Sequence, residues 1–498
     1  MKAPLFAIAL LLAAAAPAMA QTQILESCSG MSLGANGALN GFVPSPSDAW
    51  HTDISAAAVD AASATILTST TDLGGAVLHA DFSSIGGGDY GIPYTVVDSG
   101  QTAAIPVAIT LYGAESDLTV APIPSNAGVE GSPAQCTKAS GDQHMVVLDR
   151  KLCVAYEYWQ AAGCSGAWTA ANNAVWDMSE TEQRPTGFTS ADAGGLSVFE
   201  GLVRYDEIVA GSIQHAIRFT ARYSKSDAHG GYFTAPATHA AGNLATTDNI
   251  MGMRLRLKAS FDVSGYSATN QIILNAMKKY GMILADNGSN LFFQGTPDAR
   301  WDDSDLNKLK AVPASAFDVV AMGPVYDAAT TPAGKAPVIT SFKASATNVA
   351  AGTKVTLTAV VSGDSYDFVD KAGFLRGKTV VVAPAATTAY LLTSRNSFGT
   401  ATAAVTVTVA TPVNPGLTLA LTPTGKATVF TATAASRSGG ALTYSIASGP
   451  ATISGRVVTV TAAGTVVVEA RQAATSTYTA ATATASTTVA ANVFAKKR

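Results

Sequence analysis

All five tryptophans, all six histidines and all four cysteines of this 498-residue chain lie before Lys335. Beyond that point Ala, Thr and Val dominate, and apolar residues alternate with Thr or Ser over runs such as Ala403-Ala-Val-Thr-Val-Thr-Val. A period of two is the signature of a strand with one buried face. The C-terminal third is therefore expected to fold as small β units. The side chains able to do chemistry belong to the N-terminal two-thirds.

Residues 336–411 open with Pro337-Val-Ile-Thr-Ser-Phe, continue through Ala351-Gly-Thr-Lys-Val-Thr-Leu-Thr-Ala, and carry turn signals about every ten residues. The segment resembles the bacterial immunoglobulin-like modules that trail many secreted enzymes. Residues 412–498, with Ala441-Leu-Thr-Tyr-Ser-Ile-Ala-Ser-Gly-Pro and Gly464-Thr-Val-Val-Val-Glu-Ala, resemble a second module of this kind. The resemblance implies spacers or accessory binders.

At the other end, Lys2 precedes an apolar run from Leu5 to Ala16, and Ala18-Met-Ala20 supplies small residues two apart. This pattern predicts a secretory signal cleaved after Ala20. No later stretch is long and apolar enough to predict a transmembrane helix. The formal net charge is −4, so there is no basic excess to neutralise phosphates, and nucleic acid is not an expected partner. Four cysteines in an exported chain predict two disulfides out of three possible pairings. Cys153 and Cys164 bracket a strand-like run and a turn, which favours Cys153–Cys164 with Cys28–Cys136.

Residues 21–335 read mainly as β, a β-sandwich or jelly roll carrying a few helices. Strands are expected at Met145-Val-Val-Leu, Leu152 to Trp159, Leu202 to Ile208 and His215 to Tyr223. Ser267 as N-cap and Gly281 past the end frame a helix over Ala268–Tyr280, and a shorter helix follows Asp302-Asp303. No nucleophile elbow, zinc-protease motif, phosphate loop or dinucleotide fingerprint occurs, and no metal or cofactor is expected.

Two segments are dense in reactive side chains. The first joins Asp192 to Arg204, Asp206 and Glu207, followed by His215 and Arg218. The second runs from Asp142-Gln-His144 through Asp149 to Glu157 and Trp159. Paired carboxylates suit glycoside hydrolysis, in which one protonates the leaving oxygen and the other attacks or activates water. We take Asp192 with Glu207 or Asp206, and His144, as the expected catalytic set. Asp149, Arg204, His215, Glu157 and Trp159 are the expected substrate contacts.

The large domain resembles a family of exported soil-bacterial proteins. The matching stretches include Gly141 to Arg150, Arg184 to Leu196, Gly201 to Ile208, Ile213 to Thr220, Met253 to Ser260, Tyr280 to Ser289 and Asp298-Ala-Arg-Trp. The resemblance implies export and brings no reaction with it. The reading that follows is a secreted carbohydrate-active enzyme acting on an extracellular polysaccharide, a hydrolase ahead of a lyase. A non-catalytic glycan-binding surface protein is the other reading.

Overall fold

The computed structural model describes residues 28–42, 48–84, 90–118, 120–131, 141–164, 167–179, 184–363, 365–475 and 477–494. The expected signal segment and Cys136 fall outside them. The chain is mainly β and of the β-sandwich class. It divides into two compact units. One runs to Ile339 and takes in Val361–Val369 and Thr393–Thr402. The other comprises Thr340–Val360, Asp370–Leu392 and the chain from Ala403 onward.

Two sheets organise the first unit. A five-stranded sheet has the order Gly34–Ala35, Tyr94–Val97, Met145–Asp149, Val154–Trp159, Asn172–Asp177. Its inner strands are buried along their length, so they read as continuous apolar runs. Val146, Leu148, Tyr94 and Trp176 pack there with Phe199 and Leu202.

A six-stranded sheet has the order Phe317–Val319, Arg254–Leu257, Met282–Asn287, Ile217–Ala221, Phe292–Gln294, His79–Asp81. Register decides what each face of this sheet carries. Phe219 pairs with Phe293, and Phe293 with Ala80. Phe219 and Phe293 enter a core shared with Ile273, Leu274 and Met277 of helix Ala268–Lys279. The opposite face carries Arg218, Gln294 and Asp81 side by side, because Gln294 pairs with Asp81 and Arg218 stands one step from Phe219. The face against the helix is thus apolar, and the other gathers these polar side chains.

The long helix forms where its caps predict. The Ser267 side chain accepts from Asn270 N–H, and Gly281 follows in the left-handed region at φ +76°. The short helix Asp303–Leu306 is opened by Asp302, whose carboxylate accepts from the N–H groups of Ser304 and Asp305.

Leu202–Ile208 departs from expectation, because Tyr205–Ala210 is a helix rather than a strand. Glu207 accepts from Arg204 N–H at 3.0 Å, and Gly211 closes the turn at φ +83°. These end signals outweigh the alternation of Arg204, Asp206 and Ile208.

The cysteine pairing also differs, since Cys28 is bonded to Cys153 with their Cα atoms 5.5 Å apart. Both side chains are fully buried in the apolar core of the five-stranded sheet. Cys153 sits at φ +58° in the tight turn after Asp149, and its side chain lies in that core with Cys28.

In the second unit, Val355–Thr358 pairs antiparallel with Thr379–Val382. Further on, Leu442–Ser448, Gly464–Gln472 and Ala481–Val489 form one sheet. Thr418–Pro423, Val429–Ala435, Val457–Val460 and Ala451–Ser454 form another. Phe430, Val458, Val466 and Val468 are among the buried residues of their core.

Candidate active site

Strand Met282–Asn287 runs parallel to Ile217–Ala221, with Phe219 opposite Leu284 and then Thr220 opposite Asp286. Ala285 is skipped. Strict alternation would put Asp286 on the core face with Leu284. The irregularity turns it onto the polar face with Arg218 and Thr220, as β-bulges re-aim side chains beside functional sites. The carbonyl of Ala285 accepts from Gly194 N–H at 2.9 Å, tying the loop that carries Asp192 to the bulge. The approach is close, because a Cβ on Gly194 would lie 3.0 Å from that carbonyl oxygen.

Four polar groups meet there. Arg218 forms a two-pronged pair with Asp192, through Nε to Oδ2 at 2.9 Å and through Nη2 to Oδ1. Both side chains are buried. His144 donates from Nδ1 to Glu130 at 2.6 Å and from Nε2 to the Ala191 carbonyl at 3.1 Å. Both acceptors lack protons to give, so the ring is an imidazolium. Burial works against its charge, but Glu130 beside it prevails and lifts the His144 pKa to about 9. Asp286 is half-buried, with carboxylate and imidazole atoms of Asp192 and His144 within 4.8 Å. Burial, then the charge of Asp192, pushes the Asp286 pKa up to about 7, against the pull of Arg218 and His144.

Asp142 also bears on Asp286 and is exposed. Its carboxylate accepts from the indole Nε1 of Trp159 at 3.2 Å, and the Tyr112 ring stands 6.2 Å from that of Trp159. Asp81 senses Glu130, Arg218 and Asp142, and burial raises its pKa. The site thus joins a half-buried acid that holds its proton near neutrality, an exposed carboxylate, two cations locked to anions, and an aromatic rim.

His144, Asp192 and Asp286 have the spacing of a metal-ligand trio. The donor set fits a metal poorly. Both nitrogens of His144 are engaged as donors, and both oxygens of Asp192 are held by Arg218. Ligation would require an unprotonated imidazole nitrogen and at least one freed carboxylate oxygen.

The expected residues divide between places. His144 and Asp192 come together, with Trp159 at the rim. Glu207, Arg204 and His215 form a separate cluster. Arg204 Nη2 donates to Glu207 Oε1 at 2.6 Å and lies 3.0 Å from His215 Nε2. His215 Nε2 is 2.9 Å from the same Glu207 oxygen. Burial opposes the Glu207 charge, yet Arg204 and His215 bring its pKa down to about 2, a poor value for a proton carrier near neutrality. Asp206 pairs at the surface with Arg300 at 3.0 Å.

Glu157 is buried beneath helix Val198–Gly201. It accepts from Ser197 Oγ, Val198 N–H, Phe199 N–H and Trp176 Nε1, all at 2.8 to 2.9 Å. Asp149 accepts from Ser99 and Lys151 N–H in a turn. Glu157 thus has structural work that fills much of its bonding capacity, and Asp149 spends its Oδ1 on the turn.

Asp286, Glu130 and Asp81 were not among the expected site residues. The one sequence signal for Asp286 is an acid closing the apolar run Met282-Ile-Leu-Ala.

No family model and no curated protein matches the chain. Among solved structures, it is similar to a C-terminal 282-residue fragment of intimin in complex with the intimin-binding domain of its translocated receptor. That match has 18% identity and a TM-score of 0.13, and covers 31% of this chain and 64% of the fragment. It is also similar to the titin immunoglobulin tandem A164-A165 (13% identity, 31% and 96% covered, TM-score 0.14). A third likeness is to the N-terminal four immunoglobulin domains of Dscam1 isoform 9.44 (14% identity, 34% and 51% covered, TM-score 0.14). These likenesses say nothing of chemistry.

Proposed function

We propose that this is a secreted glycoside hydrolase acting on an extracellular polysaccharide, with Asp286 as proton donor. The observation that carries the reading is the half-buried Asp286 carboxyl, kept protonated near neutrality beside a fixed anion, Asp192. Glycosidases separate the pKa values of two carboxyl groups in this way. In this reading Asp142, exposed and electrostatically coupled to Asp286, serves as the second carboxyl group, attacking the sugar or activating water.

In the reaction, Asp286 delivers its proton to the glycosidic oxygen as the bond to the anomeric carbon breaks. Asp142 supports the arriving nucleophile and takes up its proton where that nucleophile is water. Asp192 has no solvent-exposed surface and works through Asp286, while Arg218 fixes its position. Trp159 and Tyr112 offer ring faces beside Asp142 on which a sugar can stack. Export is supported by the N-terminal signal pattern and by the Cys28–Cys153 disulfide, which suits an oxidising compartment.

The test is reducing-sugar release by the full mature chain from plant, fungal and bacterial polysaccharides, beside Asp286→Asn and Asp142→Asn. Release lost at least a hundredfold in both folded variants is the expected result. Release that survives Asp286→Asn discards this site. No release from any substrate, with retention on an insoluble glycan, turns the reading to a binding protein.

A further inference from the structure

A cavity of about 370 Å³ opens beside the edge strand His79–Asp81, lined by His79, Asp81, Tyr90, Phe292, Asp303 and Lys310 among others. Asp81 belongs both to this cavity and to the polar face of the sheet, where it responds to Arg218 and Asp142. The cavity therefore adjoins the site built around Asp286. We propose that it is the subsite for a sugar unit of the substrate, and that it takes an uncharged hexose rather than a uronate. The proposal rests on the hydrolase reading above for the word substrate, though not for the binding itself.

Three observations carry it. The first is a ring pair in the cavity wall: His79 and Phe292 are stacked on each other 3.9 Å apart and 5° from parallel, which leaves an outer ring face to meet a ligand. Stacked rings favour the apolar face of a pyranose, and the neutral imidazole puts no charge there. Burial, then the nearby Lys310, keeps His79 below its ordinary pKa.

The second is unspent hydrogen-bonding capacity. Gln294 is 4% exposed and stands next to Asp81 in register. Its Nε2 reaches Asp81 at 3.4 Å, while its Oε1 has no partner. Gln294 itself lies behind the cavity lining; its amide positions the Asp81 carboxyl group, which does line the cavity and can accept from a sugar hydroxyl.

The third is the balance of charge. Lys310 faces two carboxylates, Asp81 and Asp303, within the cavity. The two cations nearest Asp286 are committed, Arg218 to Asp192 and His144 to Glu130. Among the described residues, no uncommitted cation stands beside Asp286 to neutralise a uronate where the bond is cut. Elimination requires that neutralisation, so the same balance favours hydrolysis over lyase chemistry.

The experiment is calorimetric binding to the full mature Asp286→Asn chain, which removes turnover. The probes are cellotetraose, mannotetraose, laminaritetraose and maltotetraose, set against tetragalacturonate and tetramannuronate. At least one neutral probe is expected to bind, and the uronates at least tenfold more weakly. Asp81→Asn and His79→Ala, each added singly, should weaken the neutral probe about tenfold or more.

Tighter binding of a uronate, no binding of any neutral probe, or neutral binding indifferent to both substitutions overturns the proposal. The hydrolase reading fails separately. Wild-type chain that releases no sugar, yet binds a neutral probe in an Asp81-dependent way, leaves the subsite standing. Release with a KM unmoved by Asp81→Asn and His79→Ala removes the subsite and keeps the hydrolase.

Discussion

Asp286 and Glu207 are both carboxyls beside charged partners, and their surroundings drive them in opposite directions. Asp286 has burial and Asp192 against its charge, and its folded pKa of about 7 lies above the unfolded value. The folded state then holds the extra proton between those two values, so this group costs stability progressively as pH rises through that window. Asp286→Asn should therefore raise the thermal midpoint at pH 8, with the difference vanishing near pH 4, whatever the fate of activity. A midpoint unchanged at pH 8 would show that the carboxyl titrates normally. In the hydrolase, kcat/KM should fall above about pH 7 as Asp286 loses its proton.

Glu207 has the reverse sign. Its pKa of about 2 lies below the unfolded value, so its contribution is present above about pH 4.5 and lost as pH falls through 2. Glu207→Gln should cost on the order of 3 kcal/mol at pH 7, measured by urea unfolding, while turnover per folded molecule stays intact.

At the scale of elements, a strand irregularity and a helix end decide what faces the site. The skip at Ala285 turns Asp286 out of the core, and the loop from Arg184 to Leu196 is pinned to it. Gly195 is in the left-handed region at φ +71°, and a Cβ there would collide with Thr238 Oγ1 at 2.3 Å. Gly195→Ala should therefore displace Asp192 and lower activity and stability together. Helix Val198–Gly201 rests on Glu157, which pairs two of its amides, and the Ser197 side chain accepts from Glu200 N–H. Glu157→Leu should cost several kcal/mol by orphaning those donors, read as a lower midpoint in chemical denaturation.

Across the whole molecule, chain segments far apart in sequence complete the first unit. The Cys28–Cys153 bond closes a separation of 125 residues. Chain-entropy arguments give such a loop on the order of 5 kcal/mol. Peptide mapping without reductant should recover Cys28 joined to Cys153. Within the first unit, Arg395 donates to the carbonyls of Ser116 and Gly113, the latter at 3.2 Å. It also lies 5.3 Å from the Phe188 ring centroid. Asp117, next to Ser116, holds Arg184 in a buried ion pair. A chain cut at residue 335 should thus melt at least about 3 °C below the full chain. Arg395→Ala should reproduce part of the loss. Equal midpoints would show that residues 21–335 need nothing beyond them.

Local chemistry was enough to place much of this protein. Period-two alternation marked the β-rich tail, Ser267 and Gly281 bounded the long helix, and the runs at Met145 and Leu152 marked adjacent strands. Each depends on neighbours within about ten residues, where side-chain period and capping act. The site was legible only in part, since His144 and Asp192 were found but were matched with Glu207, which folds away from them. Tertiary structure alone decided that pairing. One skipped residue reverses the face of Asp286, Cys153 meets its partner 125 residues away, and parallel register sets Asp286 beside Arg218. These outcomes turn on which strands meet and in what register, a balance of long-range contacts that no short stretch of sequence records.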